Sequence, residues 1–117
     1  MHTQQLPIYL ESYRLTQAIF QITVKFPKEY KFMLGTGLNE SVLDLCVLIS
    51  QANHKADKTP VLDEFLSTLE RIKLQLRLCT DFKLLSCQQQ ANLAISLDKI
   101  TQQAIAWLKS ERRKQLP

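Results

Sequence analysis

Residues 59–79 read TPVLDEFLSTLERIKLQLRLC, and this stretch decides the fold. Thr59 is predicted as the N-cap and Pro60 as the first helical residue, where a missing N–H group costs nothing. Alternating spacings of three and four residues place the apolar side chains along one helix face. We therefore predict a helix over residues 60–80. The residues of this stripe are Leu62, Phe65, Leu69, Ile72, Leu76 and Cys79.

Three further segments show helical spacing, and we predict helices over about 7–25, 27–55 and 86–114. The first ends at Phe26-Pro27 because proline disfavours α geometry in the residue before it. Ser86 and Gln89 form a capping-box pattern at the start of the last helix. The stripes are Ile8, Leu15, Ile19, Ile22 and Phe26; Leu34, Leu38, Val42, Leu45, Ile49 and Ala52; and Leu93, Leu97, Ile100, Ala104 and Trp107.

Four helices with short links predict an all-α fold, an antiparallel up-down-up-down four-helix bundle. The chain has 117 residues, so we expect residues 1–117 to form a single domain. Gly35 and Gly37 lie inside the second helical pattern. They are compatible with a bend, a close helix contact or an irregular first turn.

Composition limits the class of protein. Three widely spaced cysteines argue against a disulfide framework and favour a reducing compartment. No signal-peptide pattern is visible at the N-terminus. The apolar run from Val42 to Ile49 is interrupted by Asp44 and is too short to cross a bilayer. We expect a cytoplasmic protein that is not embedded in a membrane.

Catalytic and metal-binding patterns are weak. A di-iron bundle site needs Glu-x-x-His motifs, but Gln51 stands three residues before His54. His2 and His54 lack cysteine or carboxylate partners at zinc-like spacing. Cys46 and His54 are the one nucleophile–base pair to consider, and a structural thiol beside a surface imidazole is favoured. We predict no enzyme activity, no cofactor and no metal.

Several apolar residues lie away from the core stripes. Isolated exposed apolar residues are common on protein surfaces, but here three helices carry them. A second buried surface is the favoured interpretation, so we predict a homo-oligomer with helices two and three at its interface. The predicted interface residues are Leu43, Val47, Leu74, Leu78 and Ile95.

Basic residues are unevenly distributed in a chain of net charge +4. Arg71, Lys73 and Arg77 project from the third helix, and Arg112, Arg113 and Lys114 lie near the C-terminus. Any one cluster taken alone is more simply a solvated face. Repeated in an oligomer, the clusters form a strongly positive particle suited to phosphate binding.

An ordered set of short stretches covers nearly the whole chain: Leu6-Pro-Ile-Tyr9, Lys25-Phe-Pro-Lys-Glu-Tyr-Lys-Phe32, Val42-Leu-Asp-Leu45, Leu74-Gln-Leu-Arg-Leu78, Leu84-Leu-Ser86 and Ala106-Trp-Leu-Lys-Ser110. With these stretches the chain resembles Avd, the accessory variability determinant of diversity-generating retroelements. The related bundles encoded in ribosomal RNA intervening sequences share the Phe-Pro-Lys-Glu corner, whereas the later stretches look closer to Avd.

The resemblance implies a non-catalytic, homopentameric bundle. It further implies binding of the retroelement's reverse transcriptase and of RNA or DNA, in support of mutagenic copying of template RNA into cDNA. Lys28, Lys31, Arg77 and Lys109 match basic positions of the family pattern, and the other basic candidates come from charge clustering alone. Thr36-Gly37 departs from a Gln-Arg-like pair of the family. The alternative is a bundle of the intervening-sequence type with an RNA-related or structural role.

Overall fold

The structure is a computed structural model that describes residues 2–117, and four long helices dominate it. They are α1 (Pro7–Thr23), α2 (Lys28–His54), α3 (Thr59–Asp81) and α4 (Cys87–Lys114), preceded by a 3-10 turn at Thr3–Gln5. No strand occurs within residues 2–117. The predicted all-α bundle is confirmed, and the helix ends differ from the predicted ones by at most two residues.

The helices form a ring in which each packs mainly on two others. α1 and α3 each contact both α2 and α4, so α2 and α4 lie diagonally across the bundle. Short links at residues 24–27, 55–58 and 82–86 make consecutive helices antiparallel. The molecule measures 53 × 21 × 20 Å. We call the end with links 24–27 and 82–86 the corner end, and the end with link 55–58 the terminal end.

The core consists of the predicted stripes. Phe65 of α3 is fully buried, as are Leu15 and Ile19 of α1. Burial of such a side chain contributes about 1.5–3 kcal/mol, so the stripes supply the main stabilisation of the bundle. On α4 the prediction is off by one position, because Leu108 is buried whereas Trp107 is half-buried against the core.

The start of α2 is irregular, as one of the three interpretations has it, and Gly35 lies in this irregular part whereas Gly37 lies in regular helix. Lys28–Tyr30 form a single α-helical turn, Lys31–Gly35 are π-helical, and regular α-helix begins at Thr36. A π-helical segment closes its hydrogen bonds over five residues instead of four and so accommodates an extra residue in the turn. Phe32 and Met33 lie within this segment and are about 80% exposed.

The two predicted N-caps have different outcomes. The capping box is confirmed: the Gln89 N–H donates to Ser86 Oγ (3.1 Å), and the Ser86 N–H donates to Gln89 Oε1 (2.9 Å). The prediction for Thr59 is wrong, because Lys58 occupies the N-cap position of α3 and makes no side-chain cap. Asp57 substitutes for a cap, since its Oδ1 accepts the Thr59 N–H at 3.1 Å.

α2 has a further property that the short apolar run did not reveal. By length and composition alone, Lys28–His54 is apolar enough to cross a membrane. Length and composition are weak evidence for a membrane-spanning helix, because the core helix of a soluble protein passes the same test. One side of α2 is the buried stripe that contains Leu38, Val42 and Leu45. The segment therefore has the burial pattern of a bundle core helix.

Candidate nucleic-acid interface

The predicted basic residues of α2 lie at the corner end. Lys28 lies in the first turn of α2, and Lys31 is the first residue of the π-helical segment that follows. Both are exposed. Neither forms an ion pair within residues 2–117. Tyr30 lies between them and contacts Phe82 of the link 82–86, with ring centroids 5.5 Å apart. The start of α2 and the link 82–86 are therefore in contact at the corner end.

The basic residues of α3 are not equivalent. Arg71 and Arg77 are exposed and have no carboxylate partner among the described residues. Lys73 is half-buried, and its Nζ lies 3.2 Å from Glu70 Oε1. Lys73 and Arg77 line a groove of about 430 Å³ between α3 and α4 whose walls are mostly apolar. Arg71 and Arg77 thus offer free charge, whereas Lys73 is partly neutralised.

The basic residues at the end of α4 lie at the terminal end, far from Lys28 and Lys31. Arg112 reaches Asp63 of α3 (3.4 Å), and Lys114 reaches the buried Glu111 (3.3 Å). Lys109 and Arg113 are exposed and form no ion pair within residues 2–117. The structure therefore does not unite the nine basic candidates in one patch.

Positive charge is concentrated at the corner end. Residues 24–31 and 77–84 contain five cations, Lys25, Lys28, Lys31, Arg77 and Lys83, but only two carboxylates, Glu29 and Asp81. The rest of the chain carries ten cations and nine carboxylates, and its residues 107–117 hold a second local excess, four cations against one carboxylate, at the terminal end. The excess at the corner end is therefore one of two along the elongated molecule. A local excess of this kind produces a potential that attracts phosphates.

All five predicted interface residues are exposed. Leu43 and Val47 face outward from α2, and Leu74 is 61% exposed on the neighbouring α3, with Leu78 one turn further on. Ile95 faces outward from α4. Because α2 and α4 are diagonal, Ile95 lies on the opposite side of the bundle from Leu43 and Val47. The five residues therefore lie on separate sides of the bundle, four on the neighbouring α2 and α3 and Ile95 alone on α4, and their role as an interface stays a prediction.

Other exposed apolar residues were missed. Phe32 and Met33 were predictable, because they precede the core stripe that begins at Leu34. Phe32 lines a groove of about 340 Å³ with Phe20 and Val24 between α1 and α2. Phe82 is 50% exposed at the corner end and belongs to no helical stripe. Its contact with Tyr30 joins residues 52 positions apart, so no local pattern indicates it.

Lys83 was also left out of the predicted site, and its backbone is unusual. It has φ = 60°, the one positive φ of a non-glycine residue within residues 2–117. The Leu84 N–H donates to Cys79 O (2.8 Å) and the Lys83 N–H donates to Thr80 O (3.0 Å). This is a Schellman motif, whose left-handed position is usually glycine. Because that position holds lysine, the sequence contains no glycine signal for the turn.

Cys46 and His54, the candidate nucleophile–base pair, have the surroundings expected of structural residues. Cys46 is half-buried, and its Sγ is 3.6 Å from Thr16 Oγ1. Burial raises the pKa of the Cys46 thiol, which opposes the thiolate form, and the contact with Thr16 offsets only part of this effect. His54 Nδ1 lies 2.8 Å from Ser50 O in its own helix. No group of three potential metal ligands occurs in the described part of the chain.

Comparisons with known proteins show which family the chain belongs to. A search of curated proteins finds no match. A family model described as bAvd-like matches residues 3–111. The matched range includes all four helices except the last three residues of α4, together with the whole corner end. The chain therefore belongs to the bAvd-like family.

Proposed function

We propose that the chain is a non-catalytic accessory protein of a diversity-generating retroelement. In this proposal it binds the retroelement's reverse transcriptase and template nucleic acid, and so supports mutagenic cDNA synthesis. The observation that carries the proposal is the family match over residues 3–111. The protein acts in the cytoplasm, where the polymerase and its template RNA meet.

The distribution of charge supports the nucleic-acid part of the proposal. The corner end has a clear excess of lysine and arginine over carboxylates, and these cations are exposed. Lysine and arginine on rigid elements bind phosphates through charge and counterion release, with little dependence on sequence. An accessory protein that handles template RNA of varied sequence benefits from contacts of this kind.

The outward apolar residues support self-association, which the proposal takes to be a homopentamer. Leu43, Val47, Leu74 and Leu78 lie on one side of the bundle and its neighbouring face, and Ile95 lies on the other side. A ring requires head-to-tail contacts, in which each subunit uses two different surfaces. Apolar residues on two different sides of the bundle are compatible with such contacts.

Co-expression with the reverse transcriptase of the same retroelement tests the proposal. We expect the two proteins to co-purify as a stable complex that binds template RNA. Affinity for RNA should fall steeply between 50 and 200 mM salt, as expected for phosphate contacts. The control is an unrelated reverse transcriptase, which should not be retained. Failure to form any complex with the cognate polymerase rejects the proposal.

A combined variant tests the basic residues of α3. Arg71→Ala, Lys73→Ala and Arg77→Ala together remove three positive charges without altering the core stripe. If all three side chains contact phosphates of single-stranded RNA, the salt dependence of log K should become shallower by about 2. Urea unfolding serves as the control for an intact bundle. Unchanged RNA affinity and slope would exclude this set from the binding surface.

A further inference from the structure

The backbone at Lys83 points to a role for its side chain. A left-handed conformation costs a non-glycine residue about 1–2 kcal/mol, and glycine largely avoids this cost. Lys83 adopts this conformation with φ = 60° in the turn after α3. Its side chain is exposed and forms no ion pair within residues 2–117. The two hydrogen bonds of the Schellman motif hold this turn but do not require lysine at the left-handed position, and non-glycine residues in this conformation tend to occur at functional sites.

The neighbours of Lys83 combine positive charge with an exposed ring. Phe82 precedes it, is half-exposed, and is supported by Tyr30 at 5.5 Å with an interplanar angle of 36°. Lys28 and Lys31 lie two residues before Tyr30 and one residue after it, and both are exposed. Three exposed lysines therefore flank in sequence an aromatic pair that joins the start of α2 to the link 82–86.

This combination matches the chemistry of single-stranded nucleic acid. Aromatic rings stack on bases that are not already stacked in a duplex, and lysines track the phosphates on either side. The stacking is tolerant of sequence because every base has a π face. A protein partner explains exposed apolar rings as well, but it does not account for three unpaired lysines beside them.

We propose that the corner end binds a single-stranded nucleic-acid segment, with Lys28, Lys31 and Lys83 at its phosphates and Phe82 stacked on a base. The proposal deepens the proposed function and rests on it for the class of ligand. It adds a defined site, two residues that are absent from the predicted site (Phe82 and Lys83), and the requirement for an unpaired strand. A duplex of the same sequence should bind more weakly because its bases cannot reach Phe82.

Lys83→Gly separates the binding role from the structural one. Glycine suits the left-handed position, so urea unfolding should show equal or greater stability than the wild type. Binding of a fluorescein-labelled 20-nucleotide single-stranded RNA should weaken about threefold to tenfold at low salt, with a salt slope shallower by about 0.7. Lys55→Ala is the matched control, because it removes one exposed lysine at the terminal end. It should leave the stability and the binding of RNA close to those of the wild type.

Phe82 is tested with two substitutions of similar size. Phe82→Leu keeps an apolar side chain against Tyr30 but removes the π face, and we expect a loss of affinity of about 5-fold to 100-fold. Phe82→Tyr keeps the ring and should bind nearly as the wild type does. A merely structural role for Phe82 would lower the stability of Phe82→Leu without this selective loss of binding.

The outcomes distinguish this proposal from the proposed function. If wild-type protein binds both RNA and polymerase while Lys83→Gly and Phe82→Leu bind RNA normally, the corner-end site is wrong and the accessory role stands. If the variants lose the polymerase but keep RNA, the occupant is a protein and the site is also wrong. If Lys55→Ala weakens RNA binding as much as Lys83→Gly does, only overall charge matters, which again rejects the site. If wild-type protein binds neither partner, both proposals fail.

Discussion

Asp57 connects three parts of the chain at the terminal end through one carboxylate oxygen. Its Oδ1 accepts the backbone N–H of Thr59 at 3.1 Å and the Nε2 group of Gln115 at 2.8 Å. These contacts join the link 55–58, the start of α3 and the end of α4. The hydrogen bond from the Thr59 backbone is the main cause of a lowered pKa of Asp57, because it favours the ionised form.

The lowered pKa predicts how stability depends on pH. A carboxylate whose folded pKa is depressed stabilises the folded state at neutral pH, and this contribution is lost as pH falls through the folded pKa. Asp57→Ala should therefore be less stable than wild type at pH 7. The difference in free energy of unfolding should shrink as the pH falls below the ordinary value of 3.8. Urea titrations at several pH values measure this difference.

Asp57→Asn provides the control for this prediction. Its amide oxygen still accepts the Thr59 N–H, so it should lose less stability at pH 7 than Asp57→Ala does. A difference between wild type and Asp57→Ala that stays constant from pH 7 to pH 2 would show that ionisation of Asp57 does not contribute.

At the scale of the element, α2 combines two kinds of helix. The π-helical segment Lys31–Gly35 directs Phe32 and Met33 outward, and the regular helix from Thr36 supplies the core stripe. Gly37 lies in the regular part, where glycine costs about 1 kcal/mol relative to alanine. A Cβ atom built at Gly37 meets only the end of the Gln75 side chain, at 3.4 Å. Neither a turn nor a close backbone contact therefore requires glycine here.

Gly37→Ala should stabilise the protein. The gain in helix propensity exceeds the small adjustment that the flexible Gln75 side chain must make, so we expect the free energy of unfolding to rise by about 0.5–1 kcal/mol. Chemical denaturation monitored by circular dichroism measures the change. Gly35→Ala is the comparison, because its Cβ would meet Phe26 and Thr23 at 3.6 Å inside the π-helical segment. A decrease in stability for Gly37→Ala would contradict the prediction.

At the scale of the whole molecule, the bundle presents unlike surfaces in different directions. The corner end is positive, whereas the sides of α2, α3 and α4 carry exposed apolar residues. Charge at an end and apolar groups on the sides are compatible with each other in an assembly. Subunits joined side by side would bury Leu74 and Leu78 and leave every corner end accessible.

Leu74→Glu with Leu78→Glu should disrupt such an assembly. Two buried carboxylates at a contact between subunits are strongly unfavourable, while the same residues are exposed in the single bundle. We expect the mass in light scattering to fall to that of one chain of 13.6 kDa, with an unchanged circular dichroism spectrum. Gln17→Glu with Gln21→Glu is the charge-matched control on α1, which carries none of the predicted interface residues and offers two exposed glutamines at the same spacing. A double-leucine variant that keeps the wild-type mass would refute this interface.

Much of the fold was predictable because it depends on local periodicity. The stripe from Leu62 to Cys79 and the Ser86–Gln89 capping box each lie within a few turns of one helix, and the structure confirms both. The N-cap of α3 was not predictable from residue type alone. Thr59 is a suitable cap, but the helix begins one residue earlier than predicted, and the carboxylate of Asp57 accepts the N–H of Thr59 itself.

The candidate site was less predictable because it depends on contacts between distant residues. Arg112 looked like a free cation in a basic cluster, yet it pairs with Asp63 across 49 positions. Phe82 meets Tyr30 only after α2 and α3 have packed against each other. Lys83 has no sequence signal, since a left-handed turn is normally recognised by glycine. Local patterns therefore identified the charges but not which of them stay free.

The bundle also has consequences for attaching probes to the protein. The turn Thr3–Gln5 packs on α2 near Asn53, and Gln115 contacts the link 55–58, so the first and last described segments both lie at the terminal end. A fluorophore or biotin tether attached near either of these two segments would lie almost the full 53 Å length of the molecule away from Lys83. Immobilised through such a tether, the molecule would stand upright on a sensor surface and present its lysines to the flowing solution.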